Sequence, residues 1–282
     1  MTQKRKKKPA GASAVTLIHR TSGKARRFLI SLFTAGVVGL QVTSCGVAPG
    51  VAPAQARPPS STSTGFAACP QHFANGQPPV TPAAPKLREL CFDSFAVLHS
   101  GNTKTPVYVA QRLNRQILQA GGGKRTDRFY AEARLPAGER AELADYKGSG
   151  WSRGHMAPAG DMGTPEAMAQ SFSLANMVPQ DPKQNGGPWA KIEEDTRRYV
   201  MRARGDVYVI TGPVFEPGAQ RIGAGGVAVP SHLFKLVYDP NTEKSWAHWQ
   251  QNDPSAQVGR PISYAELIKR TGMQLLPGAR PD

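Results

Sequence analysis

The sequence predicts an α+β domain resting mainly on antiparallel sheet, and three observations predict it. Apolar strand runs are joined by short turn-forming connections rather than helical crossovers, as antiparallel neighbours are. Helix signals are few, each marked by its own cap. About 217 of the 282 residues, from Phe66 onward, run without a linker, a length that suits one domain with its own core.

The first 65 residues stand apart from this. The net charge of +15 is unevenly placed: residues 1 to 27 carry nine Lys/Arg and no acid, and the chain without residues 1 to 44 is only +6. The balance permits polyanion binding without demonstrating it. An uncharged, mostly apolar run, Phe28 to Leu40, follows the basic segment, so residues 1–45 read as a targeting segment. It is short for a spanning helix, which needs about 20 apolar residues. Val42-Thr43-Ser44-Cys45 is similar to a lipobox, in which Cys45 is lipidated and anchors the chain to a membrane; Ala54-Gln55-Ala56 offers simple cleavage instead. An uncleaved anchor is the third reading. The expectation is export, to the periplasm or outer membrane as a lipoprotein and otherwise by secretion. Residues 46–65, rich in Gly, Pro, Ala, Ser and Thr, read as a flexible tether. Cys69 and Cys91 then remain, and in an exported domain they are expected to form a disulfide, with two separate buried thiols as the alternative.

Within 66–282 the elements follow in order. Residues 66 to 90 are Pro-rich and read as a surface wrap. Phe95–His99 and Pro106–Leu113 read as strands joined by a hairpin connection at Ser100–Lys104. Residues 114 to 150 are polar and read as a long loop. Thr164-Pro165-Glu166 opens a short helix, with Thr at the cap and Pro in the first turn. The strongest helix is expected from Pro188 to about Arg204, stopped by Gly205. Asp206–Gly212 and Leu233–Tyr238 are strands, and Ser245–Trp249 pairs back across a turn at Asp239–Thr242. Ser263 caps a last helix, closed by Gly272.

The chemistry concentrates in Gly150 to Met162, where a guanidinium (Arg153), an imidazole (His155) and a carboxylate (Asp161) share a loop with three glycines and a proline. Asp161 is read as a structural bond to that loop's backbone. Downstream, Trp189, Glu193 and Arg197 are spaced four apart and so lie along one helix face, with Asn185 one turn's worth of chain before them. An amide oxygen and a carboxylate suit a hard cation that keeps most of its waters. With a His to activate water and arginines to hold growing charge, the inventory fits metal-assisted phosphodiester hydrolysis.

Arg153-Gly154-His155-Met156-Ala157-Pro158 resembles the Asp-Arg-Gly-His signature of the sugar-non-specific DNA/RNA endonucleases with a ββα-metal (His-Me finger) core. Leu174 to Gln180, then Asn185, Trp189, Glu193 and Arg197, match the second half of that pattern. The resemblance implies His155 as general base, Asn185 as direct ligand of Mg²⁺ (with Mn²⁺ an alternative) and Glu193 as holder of metal-bound waters. It implies Arg153 and Arg197 as phosphate contacts, with Arg128 as a looser match to the family's upstream arginine. Asn176 is expected to position the finger. The implied substrates are DNA and RNA, cut with little sequence preference to leave 5′-phosphates. One departure is Ser152, where the family usually has Asp; it leaves a catalytically impaired nucleic-acid-binding surface module as an alternative. A phosphodiesterase acting on non-polymeric substrates is the other.

Overall fold

The structure, a computed structural model, describes residues 65–282; Cys45, the targeting segment and nearly all of the tether lie outside the described residues. In chain order, β1 (Leu87–Cys91), β2 (Ala96–Ser100) and β3 (Thr105–Leu113) are followed by α1 (Arg115–Ala120) and α2 (Leu143–Tyr146). Next come β4 (Ser152–His155), α3 (Pro165–Gln170), β5 (Met177–Gln180) and α4 (Pro182–Gln184). A π-helical turn, Asn185–Trp189, joins α4 to α5 (Ala190–Val200). The remainder is β6 (Val207–Val214), β7 (Arg221–Ile222), β8 (Val227–Ala228), β9 (His232–Asp239), β10 (Lys244–Gln251) and α6 (Tyr264–Thr271).

Six strands form one antiparallel sheet in the order β1-β2-β3-β6-β9-β10. Alternation along each strand sends side chains to opposite faces. Val97, Val109 and Leu233 join one core with Met156, Val178, Trp189 and Ile192. Ala96, Leu98, Tyr108, Ala110 and Leu236 join a second with Phe66, Phe73, Leu267 and Leu275. Each buried Leu or Phe is worth about 1.5–3 kcal/mol, against about 0.5–1.5 kcal/mol net for one hydrogen bond. The apolar pattern therefore sets the register, since a slip of one residue would exchange the two faces. The second core is tied down by a Cys69–Cys91 disulfide, the pairing expected from sequence.

The first core supports a separate two-stranded ribbon, β4 with β5, in which Arg153 faces Pro179 and His155 faces Met177. The ribbon is followed by α4, the π turn and α5. Caps read from sequence are present: Thr164 Oγ1 accepts from Ala167 N at 3.1 Å, Ser263 Oγ accepts from Glu266 N at 3.2 Å, and Gly272 takes a left-handed φ of 68°.

Four sequence expectations are corrected. The stretch from 114 to 150 contains two short helices, α1 capped by Asn114 and α2 opened by a Glu142–Asp145 capping box. The Pro-rich wrap ends in strand β1 rather than remaining irregular. Residues 152–155 are strand, permitted because the ribbon has only one partner per strand. The strongest helix does not begin at Pro188. Asp181 caps Pro182, its Oδ1 accepting from Lys183 N at 2.8 Å and Gln184 N at 3.0 Å, and the helix passes through Pro188 before ending at Val200. A proline has no N–H to give to the helix ladder, and a wider π turn accommodates that gap. Asn185 thus sits inside a helical segment.

Candidate active site

His155 ends β4 and is packed edge-on against Phe172, ring centroids 5.1 Å apart, with Phe129 at 5.8 Å. Its position is fixed from the opposite strand's approach. Asn176 Oδ1 accepts from Ala157 N at 2.8 Å, and Asn176 Nδ2 donates to the carbonyls of Ala157 and Ser171, both at 2.9 Å. Asn176 thereby staples the turn after His155, the positioning role read from sequence. Burial lowers the imidazole pKa to about 3, with Arg125 pushing the same way and Asp127 opposing. The ring is therefore neutral at physiological pH, and its Nε2 has no hydrogen-bond partner.

Gly154 lets the two strands approach: a Cβ there would collide with the Gln180 side chain. Gln180 Nε2 donates to Gln184 Oε1 at 2.6 Å, and Gln184 Nε2 donates to Gln250 Oε1. This buried amide chain ties the ribbon to α4 and to β10 of the main sheet.

Across from the ribbon, Asn185 is half-buried on the π turn and Glu193 and Arg197 follow on α5. Burial pushes the Glu193 carboxyl up to about 7; Lys235 and Arg197 pull it back, and Asp161 pushes further. Arg197 Nη1 donates to Asp161 Oδ1 at 3.0 Å, so Asp161 orients a guanidinium rather than bonding the loop backbone, as sequence suggested. Lys235, 1% exposed on β9, donates to Thr211 Oγ1 at 2.7 Å beneath this group.

Arg125, Arg153, His155, Asn185, Glu193 and Arg197 all line one cleft of about 340 Å³. Five of them are residues the sequence singled out, brought together from the ribbon and the helix. Arg128 is not brought there: it is exposed and lines neither this cleft nor the depression beside it. The cause is local. Phe129 turns inward against His155 and Phe172, so its neighbour Arg128 points out. Arg125 occupies the cleft instead, paired with Asp127 at 2.6 Å and lying 5.1 Å over the Phe172 ring. The sequence singles out Arg128 and not Arg125, three residues before it. The signal that separates them is the aromatic at 129, whose burial sets which side faces in.

A cation would find one amide oxygen and one carboxylate here, with room for water. Among the described residues no three His, Cys, Asp or Glu side chains form a cage. That donor set fits Mg²⁺, which binds through few protein ligands, better than it fits zinc, which takes three or four.

A ribbon bearing an imidazole, followed by a helix bearing an amide oxygen and a carboxylate, has the ββα arrangement of nucleases that cut phosphodiester bonds. Residues 76–279 match the family described as DNA/RNA non-specific endonuclease, and the chain belongs to that family. As a member it is a hydrolase acting on nucleic-acid phosphodiester bonds. It is 31% identical to the mitochondrial nuclease EXOG of Xenopus laevis over 77% of this chain and 70% of that one. It is 34% identical to the mitochondrial endonuclease G of Homo sapiens over 51% of this chain, which is about half of that protein's length (52%). In fold it is similar to a chain of the crystal structure of the EndoG/EndoGI complex, with a TM-score of 0.61 at 22% identity over 68% of this chain and 86% of that one.

The relatives also correct the expected destination. Nucleases similar to this chain from Xenopus laevis, Homo sapiens and Schizosaccharomyces pombe are named as mitochondrial, which overturns the reading of export to a periplasm, an outer membrane or the medium. The physical reason is that a basic, acid-free N-terminus does not separate the two addresses: mitochondrial transit peptides share it. Lipidation at Cys45, with the membrane anchor it implied, falls outside the described residues. Among those described, no helix is long and apolar enough to cross a membrane.

Proposed function

We propose that residues 66–282 form the catalytic domain of a Mg²⁺-assisted endonuclease that hydrolyses DNA and RNA with little sequence preference and leaves 5′-phosphates. The observation that carries this reading is the convergence of His155, Asn185, Glu193, Arg153 and Arg197 on one cleft. His155, neutral and in the cleft wall, takes the proton from the attacking water through Nδ1, since its Nε2 is buried away from solvent. A base held so far below the ordinary His range is weak alone. The phosphate arriving in the same cleft raises its proton affinity, because an opposite charge favours the protonated form. Arg153 and Arg197 hold the phosphate oxygens, and the Asp161 pairing keeps the Arg197 fork aimed before substrate arrives. Arg125, rather than Arg128, supplies the third guanidinium.

Asn185 would hold the ion, with Mn²⁺ a possible substitute, and Glu193 would accept hydrogen bonds from its water shell. When bound, the ion neutralises charge at the leaving oxygen. Contacts made to backbone phosphate carry no base information, which accounts for weak selectivity. The test is degradation of plasmid DNA and of RNA with Mg²⁺. Cleavage should stop with EDTA and fall by about 100- to 10,000-fold in His155→Ala, the range a general base is worth. A wild-type protein that binds polynucleotide without cutting it, or cuts only a small chromogenic diester, would overturn the reading.

A further inference from the structure

Beside the cleft lies a larger groove, about 690 Å³, most of whose wall the mechanism above does not use. It shares Arg125, Arg153 and Asn185 with the cleft, so a strand with its phosphate in the cleft must carry an adjoining nucleotide across the groove. The rest of the wall sets Leu143, Tyr146, Phe129 and Trp151 beside Asp127, Lys147 and Ser152. Leu143 is 44% exposed, one of only a few large apolar side chains so open among the described residues. The groove's cations can hold a sugar-phosphate backbone, while the apolar part of its wall suits the flat face of a nucleobase.

The aromatics differ in availability. The Phe129 ring is already covered by the Arg153 guanidinium at 4.1 Å, and Tyr146 is 5% exposed. Trp151 is half-buried, with one side packed against the small cluster that includes Ile222 and Val227. No ring or cation contact to its indole is found among the described residues. It is also held in place. Gly148 and Gly150 take positive φ values of 70° and 82°, Ser149 Oγ donates to the Tyr146 carbonyl at 2.9 Å, and Trp151 N donates back to Ser149 Oγ at 3.2 Å. This pinned turn leads directly into the strand that carries Arg153 and His155. A stacking platform fixed to the catalytic ribbon loses little entropy when a base arrives.

We propose that this groove is a base-binding subsite in which Trp151 stacks on an unpaired nucleobase next to the scissile phosphate, making single-stranded or locally unpaired nucleic acid the preferred substrate. The inference rests on the nuclease reading. In a closed duplex both base faces are occupied by neighbours, so only a strand free to splay a base can use the platform.

The experiment has a binding arm and a cleavage arm. A single-stranded oligonucleotide carrying 2-aminopurine is titrated into the His155→Ala protein in EDTA, where nothing is cut. Fluorescence should quench on binding, with affinity reduced about 10-fold when Trp151→Ala is added and nearly kept by Trp151→Phe. In the otherwise wild-type background, kcat/KM on a single strand should exceed that on a hairpin of the same sequence, and Trp151→Ala should bring the ratio toward one. Undiminished affinity in Trp151→Ala, or equal losses on both substrates, would overturn the proposal; equal losses would make the residue only a support for the ribbon. A wild type that cuts neither substrate defeats the nuclease reading instead, and the binding arm still decides whether the groove takes a base.

Discussion

His155 is held where a histidine is least comfortable as a cation, and folding feels this as well as catalysis. Its folded pKa, about 3, lies below the unfolded value near 6.5. Between those limits the unfolded chain binds a proton that the folded chain refuses, so stability falls as pH drops through 6.5, by about 1.4 kcal/mol per unit, and the loss is complete near pH 3. His72 and His99 are lowered too, chiefly by burial, and add to the same slope. Between pH 7.5 and 5, urea unfolding should show His155→Asn gaining about 2 kcal/mol relative to wild type; parallel pH profiles would refute the buried-imidazole account. The arginines give a second test at this scale. Arg125→Ala should lower kcat/KM on polynucleotide by about 10- to 100-fold, while Arg128→Ala, a surface change, should stay within about two-fold. The reverse order would restore the sequence reading. That reading singled out His155, Arg153, Asn185, Glu193 and Arg197, which the fold brings to one cleft, because each stands in a motif or at helical spacing. It did not place Arg125 in that cleft, because a Gly-rich loop has no periodicity to show which side chains face inward.

Helices were legible where a cap and a first-turn residue agree, as at Thr164-Pro165 and at Ser263. Asp181-Pro182 has the same form, but Gly186-Gly187-Pro188 follows it and reads as a break. The structure resolves the contradiction with a π turn, which carries Asn185 on a helical frame rather than on a free loop. The ribbon was harder to read, since its strands are four residues each and contain Gly154 and Pro179. Gly154 is the most sensitive position in that element. The Gln180 side chain occupies the place of its missing Cβ and cannot swing away without opening its bond to Gln184, which in turn bonds Gln250. Gly154→Ala should therefore destabilise by about 1–3 kcal/mol, the usual range for overpacking, and should lower kcat, because His155 is the next residue. Adding Gln180→Gly removes both the Gln180 Cβ and the amide beyond it, the atoms the methyl group would meet, so the double variant should be more stable than the two single losses summed. Additive losses in denaturant melts would show that the two side chains do not meet.

At the scale of the molecule, the sheet divides labour between its faces. One supports the ribbon, the π-turn helix and the cleft; the other is closed by the N-terminal wrap and α6. Local pattern could reveal the strands but not their order, because β6 lies between β3 and β9, joining segments about a hundred residues apart in sequence. The cysteine pair was the one long-range constraint that could be read directly. It belongs to the second face: Cys69 is 2% exposed in the same core as Phe66 and Phe73, and Cys91 ends edge strand β1. Cross-linking residues 22 apart removes unfolded-state entropy worth about 3 kcal/mol, or roughly 6–12 °C in Tm for a domain of this size. The cleft draws no residue from the wrap or from β1. Cys69→Ser/Cys91→Ser should therefore melt earlier by about that interval in calorimetry, while kcat at 25 °C stays at the wild-type value. A fall in kcat at a temperature where the variant is fully folded would show that the two faces are mechanically coupled and that the wrap helps to shape the cleft through the sheet.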